Sequence, residues 1–141
     1  MDKKIPTGKL CGTIAAPPSK SMTHRMLVMA ALSGKECRIK NPLFCEDTEI
    51  TINALRKLGF QFEVYEKEIF FSGRKNDPAG VPTIYVGNSG TSARFLTALA
   101  AVLGIDCLID GEGRMRQRPM APLIRALQEL GAKLEHRHGQ L

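Results

Sequence analysis

The chain has 141 residues, enough for one domain or for two small repeated units sharing a core. Apolar residues make up 43% and charged residues 24%, which is ordinary for a water-soluble globular protein, and no apolar run approaches the roughly 20 residues of a membrane-spanning helix. The net charge of +6 leaves two classes of partner, a polyanion or small anionic ligands.

In chain order, the Met1–Pro6 start carries two lysines but no apolar stretch behind them, so it is no signal peptide and a cytoplasmic location is expected. A strand is predicted over Lys9–Ala15, then a helix over Met22–Leu32. A short strand at Cys37–Ile39 precedes a second helix over Thr48–Leu58, with apolar residues Ile50, Ala54, Leu55 and Leu58 at helical spacing. Gly59 follows as a helix-ending glycine. Strands at Phe60–Tyr65 and Ile69–Ser72 flank Lys67 and Glu68 as a hairpin. A strand at Thr83–Val86 leads to a third helix, Thr91–Leu103, and then to a strand at Cys107–Ile109. The fourth helix, Pro122–Leu130, ends at Gly131 before a strand at Lys133–His136.

The second half repeats the first. Asn53 to Glu63 (NALRKLGFQFE) matches Arg125 to Glu135 (RALQELGAKLE) at an offset of 72, and Ser21 with Arg25 aligns with Gly90 and Arg94 at an offset of 69. The chain thus reads as two copies of a strand–helix–strand–helix–strand unit of about 70 residues. A unit this size cannot easily bury its helix faces alone, and the sequence stops just after a strand begins, so truncation is expected.

The four cysteines, Cys11, Cys37, Cys45 and Cys107, show no CxxC spacing, and His24, His136 and His138 form no metal pattern with them. They read as small buried thiols in a reducing compartment.

Three segments carry chemistry. In the first, Pro17 and Pro18 set a turn before Ser19-Lys20-Ser21, with Ser19 or Ser21 as N-cap and Arg25 one helical turn on. Free backbone N–H groups at a helix start suit a phosphate or carboxylate, and Lys20 and Arg25 can converge on the same anion. The second, Val86 to Arg94, repeats the design, with Gly87 and Gly90 letting backbone amides approach a ligand. The third runs from Asp110 to Met120. Arg114, Arg116 and Arg118 fall on alternate residues, and an extended backbone would set all three on one side. These cations sit at helix starts rather than along a basic stripe with interleaved aromatics, which argues against nucleic acid.

Together these segments resemble the enolpyruvyl transferases, and within them the 5-enolpyruvylshikimate-3-phosphate (EPSP) synthases. The resemblance rests on Ser19-Lys20-Ser21 with His24-Arg25, on Asn88 to Thr91, and on Arg114-Met115 with Arg118-Pro119, and it spans Gly8 to Glu135. The sibling UDP-N-acetylglucosamine transferases start their first helix differently and carry a reactive Cys where this chain has Gly113. The resemblance implies an α/β fold of repeated βαβαββ units (an inside-out α/β barrel), about two of six being present. Repeat 1 would cover about residues 9–73 and repeat 2 about 82–141, with residues 17–141 forming part of one domain and the strand in 1–16 belonging to the other.

It implies transfer of the enolpyruvyl group of phosphoenolpyruvate to the 5-hydroxyl of shikimate 3-phosphate, with release of phosphate, in aromatic amino acid biosynthesis. No metal, organic cofactor, nucleic acid or membrane partner is implied; the expected partners are the two substrates and the C-terminal part of the same protein. Carried over by position, Lys20 contacts both substrates, and Ser21 and Arg25 hold shikimate 3-phosphate. Gly90 and Arg118 bind phosphoenolpyruvate, with Asn88, Thr91, Arg94 and Arg114 in support. Asp47 matches an acid that orients this network.

Overall fold

The structure, a computed structural model, describes residues 3–4, 6–9 and 11–135. Helix α1 spans Lys20–Ser33, with the Ser19 hydroxyl accepting from the Met22 amide at 3.3 Å and Gly34 ending it at φ 63°. Strand β1 is Cys37–Lys40 and α2 is Glu46–Lys57. Acidic Glu46, Asp47 and Glu49 in the first turn of α2, and Arg56 and Lys57 in its last, complement the helix dipole. Gly59, at φ 91°, then turns the chain into β2, Phe60–Val64, and the expected hairpin returns it as β3, Glu68–Arg74. The Tyr65 amide closes that turn on the Glu68 carbonyl at 2.9 Å.

These three strands form an antiparallel sheet in the order β1-β3-β2. Alternation sends Ile39, Phe60, Phe62, Ile69 and Phe71 inward and leaves Arg38, Lys40 and Glu63 in water. Phe62 and Phe71 lie 4.7 Å apart between ring centres, and they anchor the sheet beneath α1 and α2.

The second unit begins with β4, Thr83–Tyr85, followed by α3, Gly90–Leu103, and β5, Leu108–Asp110. The parallel pairing of β4 and β5 is what a helical crossover such as α3 permits. A short α4, Gly113–Arg116, and α5, Ala121–Glu129, complete the described elements. One core joins the units, with Leu27 of α1, Leu55 of α2, Phe71 of β3, Ile84 of β4, Leu96 of α3 and Met115 of α4 all fully buried.

The repeat is visible in the caps. Both α1 and α3 have 14 residues, a serine N-cap and a glycine C-cap at φ 63°. Both α2 and α5 end through a leucine at φ −82° followed by a glycine, Gly59 at 91° and Gly131 at 94°.

Several expectations are corrected. Residues 11–19 carry no secondary structure and are exposed apart from half-buried Pro18, so the described residues of Lys9–Ala15 form no strand. A strand needs a neighbour to complete its hydrogen bonds, and no described residues supply one there. Residues 132–135 likewise form no strand, and His136 lies outside the described residues. The cysteines are less buried than expected: Cys11 is exposed with the N-terminal segment, and Cys37, Cys45 and Cys107 are half-buried, all four being free thiols.

Candidate anion-binding site

Helices α1, α2 and α3 pack against one another, and their N-terminal turns carry most of the candidate residues. At the start of α1, Lys20 reaches across to Asp47 in the first turn of α2, with Nζ donating to Oδ2 at 2.8 Å. Hydrogen bonding to that carboxylate raises the Lys20 pKa above its ordinary value, so the side chain stays an ammonium cation. Asp47 is half-buried rather than enclosed, and its contact with Lys20 orients the lysine. Arg25 folds back so that Nη1 donates to the Ser21 carbonyl at 3.0 Å and to the Ser21 hydroxyl, and its guanidinium lies 5.9 Å over the Phe95 ring of α3.

The start of α3 has the same cap, the Ser89 hydroxyl accepting from the Ser92 amide at 3.3 Å. Gly90 is pressed against Arg118, for a Cβ there would overlap Nη1 of its guanidinium. Asn88 donates to the Glu112 carboxylate from its side-chain amide, and Arg94 donates from Nη2 to the Pro119 carbonyl at 2.9 Å. Thr91 is half-buried in the first turn.

Two features of the sequence reading change. With the serine caps superposed, Arg25 is the sixth residue after its cap and Arg94 only the fifth, so the two arginines leave their helices about 100° apart. The two helix starts are equivalent; the arginines are not. Arg25 accordingly stays with the first turn of α1 while Arg94 fastens the loop before α5. The alternate arginines are not on extended backbone either, because 113–116 is helical. Arg116 turns away into a two-pronged pair with Asp110, at 2.8 and 2.7 Å, and holds that carboxyl below its usual pKa. Arg114 is exposed and makes no side-chain hydrogen bond or ion pair among the described residues. Of the three, only Arg118 is brought to a helix start.

Arg25, Arg94 and Arg118 have no carboxylate partner among the described residues, whereas Arg38, Arg74 and Arg116 pair with Glu68, Asp77 and Asp110. Arg56, Arg114 and Arg125 also lack a described carboxylate partner, so what sets Arg25, Arg94 and Arg118 apart is their place beside the starts of α1 and α3. Beneath them runs a buried polar chain that composition and motifs did not reveal. His24 Nδ1 meets Thr51 Oγ1 at 2.9 Å, Thr51 Oγ1 meets Ser92 Oγ at 2.8 Å, and Ser92 Oγ meets Ser89 Oγ at 2.7 Å. Thr51 was legible in principle, since it falls on the apolar face of α2 with Thr48, Ile52 and Leu55, where a hydroxyl must find a partner.

A cavity of about 420 Å³ lies elsewhere, lined by Ala100 and Ile105 at the far end of α3, Cys107 and Ile109 at β5, Ile124 of α5, and Leu134. In the first unit the corresponding space beside α1, β1 and α2 is filled by the β2–β3 hairpin. Among the described residues no group of three or more His, Cys, Asp or Glu side chains could hold a metal, and no helix is long and apolar enough to cross a membrane.

The family model for EPSP synthase (3-phosphoshikimate 1-carboxyvinyltransferase) matches residues 5–141. The chain is 42% identical over 133 residues to a 3-phosphoshikimate 1-carboxyvinyltransferase of Thermococcus kodakarensis, and 41% identical over 133 residues to one of Syntrophobacter fumaroxidans. Each match covers 92% of this chain and 31% of the relative, so the chain spans about a third of the length of these proteins. A solved EPSP synthase from Acinetobacter baumannii superposes with a TM-score of 0.79 at 27% identity, over 92% of this chain and 30% of that one. The matching family model, the relatives and the shared fold lead to one conclusion: this chain belongs to the EPSP synthase family.

Proposed function

We propose that the chain supplies the cationic, anion-holding part of an enzyme that moves the enolpyruvyl group of phosphoenolpyruvate onto the 5-hydroxyl of shikimate 3-phosphate in the cytoplasm, releasing phosphate. The observation that carries this reading is the placing of Arg25, Arg94 and Arg118, unpaired with any described carboxylate, around two serine-capped helix starts. Two phosphates and two carboxylates brought into a small space repel one another unless cations and backbone N–H groups surround them.

In this reading the first turn of α1 binds shikimate 3-phosphate through Ser21 and Arg25. The Gly90 turn and Arg118 bind phosphoenolpyruvate, the missing Cβ leaving room for the guanidinium to lie against the backbone. Lys20 stands between the substrates as a fixed cation, oriented by Asp47, and does not act as a base because it is held protonated. Asn88, Thr91 and Arg94 shape the second turn, and Arg114 is free to meet substrate from the surface. The chemistry also requires a proton delivered to C3 of the enol and one removed from the hydroxyl.

The experiment is a titration of the ¹⁵N-labelled chain with shikimate 3-phosphate. Amide shifts at Ser19, Lys20, Ser21 and Met22 should move first and most. Arg25→Ala should weaken that response about 10- to 100-fold, the loss of a charge-assisted contact. A response confined to lysines remote from both helix starts would sink the assignment.

A further inference from the structure

His24 is fully buried, and one ring nitrogen, Nε2, meets no hydrogen-bond partner among the described residues. The other, Nδ1, lies 2.9 Å from Thr51 Oγ1. Thr51 and Ser92 are fully buried too, and their hydroxyls are 2.8 Å apart, so three helices meet at three polar side chains inside an apolar core.

The arrangement has a direction. A hydroxyl carries one hydrogen, so each member can donate once, and neutral imidazole donates from one nitrogen only. Were the proton on Nε2, a buried N–H would be left without an acceptor, which is rarer and costlier than a bare acceptor. With the proton on Nδ1, His24 donates to Thr51, and Thr51 donates to Ser92 at 2.8 Å, a shorter contact than its alternative to the Asp47 carbonyl at 3.2 Å. Ser92 then donates to Ser89 at 2.7 Å or to the Asp47 carbonyl at 3.3 Å. The chain ends on the N-cap of α3 and on the backbone of the residue that holds Lys20.

We propose that His24, Thr51 and Ser92 are positioning residues: with His24 protonated on Nδ1, they form a one-way hydrogen-bond relay that locks the first turns of α1, α2 and α3 together. The relay sets the separation of the α1 and α3 starts, because it joins fully buried side chains of all three helices directly, whereas the other tie through Asp47 relies on the exposed Lys20. Apolar packing alone would tolerate sliding and rotation; a hydrogen-bond chain with fixed polarity does not. In substrate terms this rests on the function proposed above, but the geometry it fixes does not depend on any ligand.

The test has two arms. Long-range ¹H–¹⁵N correlation of the imidazole should show the neutral Nδ1–H tautomer in the chain at pH 7. Thr51→Val keeps the shape and removes the hydroxyl. It should abolish that tautomer preference and raise amide exchange about tenfold at Met22, Thr23, Ser92 and Ala93 together, with α5 unchanged. Thr51→Ser should restore both. Ser92→Ala breaks the same relay in a good helix former and serves if the valine variant does not fold. An Nε2–H tautomer in the wild type overturns the proposal, as does unchanged exchange at either helix start in both variants. A wild-type chain with the expected tautomer and exchange that ignores shikimate 3-phosphate would refute the proposed function and support the relay.

Discussion

Gly90 shows how one missing atom shapes a site. Its Cα faces the end of the Arg118 side chain so closely that a methyl group would overlap the guanidinium. The neighbour is the tip of a flexible side chain, so Gly90→Ala should fold normally and displace Arg118 by rotamer change. The expected result is phosphoenolpyruvate binding weakened about tenfold, the scale of one charge-assisted contact, with shikimate 3-phosphate binding little changed. Separate titrations with each ligand decide it.

His24 makes a second prediction at this scale. Burial lowers its pKa from the ordinary 6.5, outweighing the opposing pull of Asp47. Between the lowered and ordinary values the unfolded chain binds more protons than the folded one, so stability falls as pH drops below about 6.5. Asp110 acts in a lower window: Arg116 depresses its pKa, so its contribution is lost only as pH falls through and below the ordinary 3.8. Urea midpoints measured from pH 7.5 to 5 should show the first slope, and His24→Gln should flatten it.

Among the elements, the paired helix ends offer an internal control. Gly59 and Gly131 hold nearly the same backbone conformation, φ 91° and 94°, which a side chain rarely adopts. A Cβ at Gly59 would also overlap the Asn76 carbonyl, whereas at Gly131 nothing lies within 4 Å. Gly131→Ala should therefore cost about 1 kcal/mol and Gly59→Ala distinctly more, about 2–4 kcal/mol, in urea unfolding. Equal costs would mean the segment at Asn76, two residues past β3, yields freely.

These same ends show what was legible beforehand. Leu58-Gly59 and Leu130-Gly131 announce helix termination because the chemistry is local: a left-handed residue must follow the last turn. The hairpin at Lys67 and Glu68 is local in the same sense. What depends on distant partners was misread. The Lys9–Ala15 run reads as a strand but has no neighbouring strand among the described residues, and the three alternate arginines suggest an extended backbone where Met115, fully buried, pins a helical turn instead. The phase of Arg25 against Arg94 turned on which serine caps the first helix, a one-residue choice that swings a side chain by a quarter turn or more. Thr51 and Ser92 were passed over because nothing in a single helix says that its buried hydroxyl meets one from another.

At the scale of the whole molecule, the described residues around the two helix starts offer cations and two carboxylates already engaged, Asp47 by Lys20 and Glu112 by Asn88, but no pair of groups suited to give one proton and take another. General acid and base groups typically contribute 10²–10⁴-fold each. The 141-residue chain on its own should therefore release no measurable phosphate from phosphoenolpyruvate with shikimate 3-phosphate. Turnover that disappears in Lys20→Ala would overturn this.

The antiparallel sheet of the first unit has a further consequence, for the order in which the molecule assembles. Its β2–β3 hairpin is closed by one tight turn, so the chain entropy lost in pairing those two strands is small, and β1 then joins β3 once α2 has crossed between them. The parallel β4–β5 pair spans only three residues on each strand and must wait for α3 to cross between them, and α3 in turn needs the faces of α1 and α2. Helix α5 buries only Leu127. In native-state hydrogen exchange, amides of β1, β3 and α2 should be the last to open, and those of α5 should exchange by a separate opening of much lower free energy. A single rate-limiting opening shared by all five helices would instead make the two units one cooperative body.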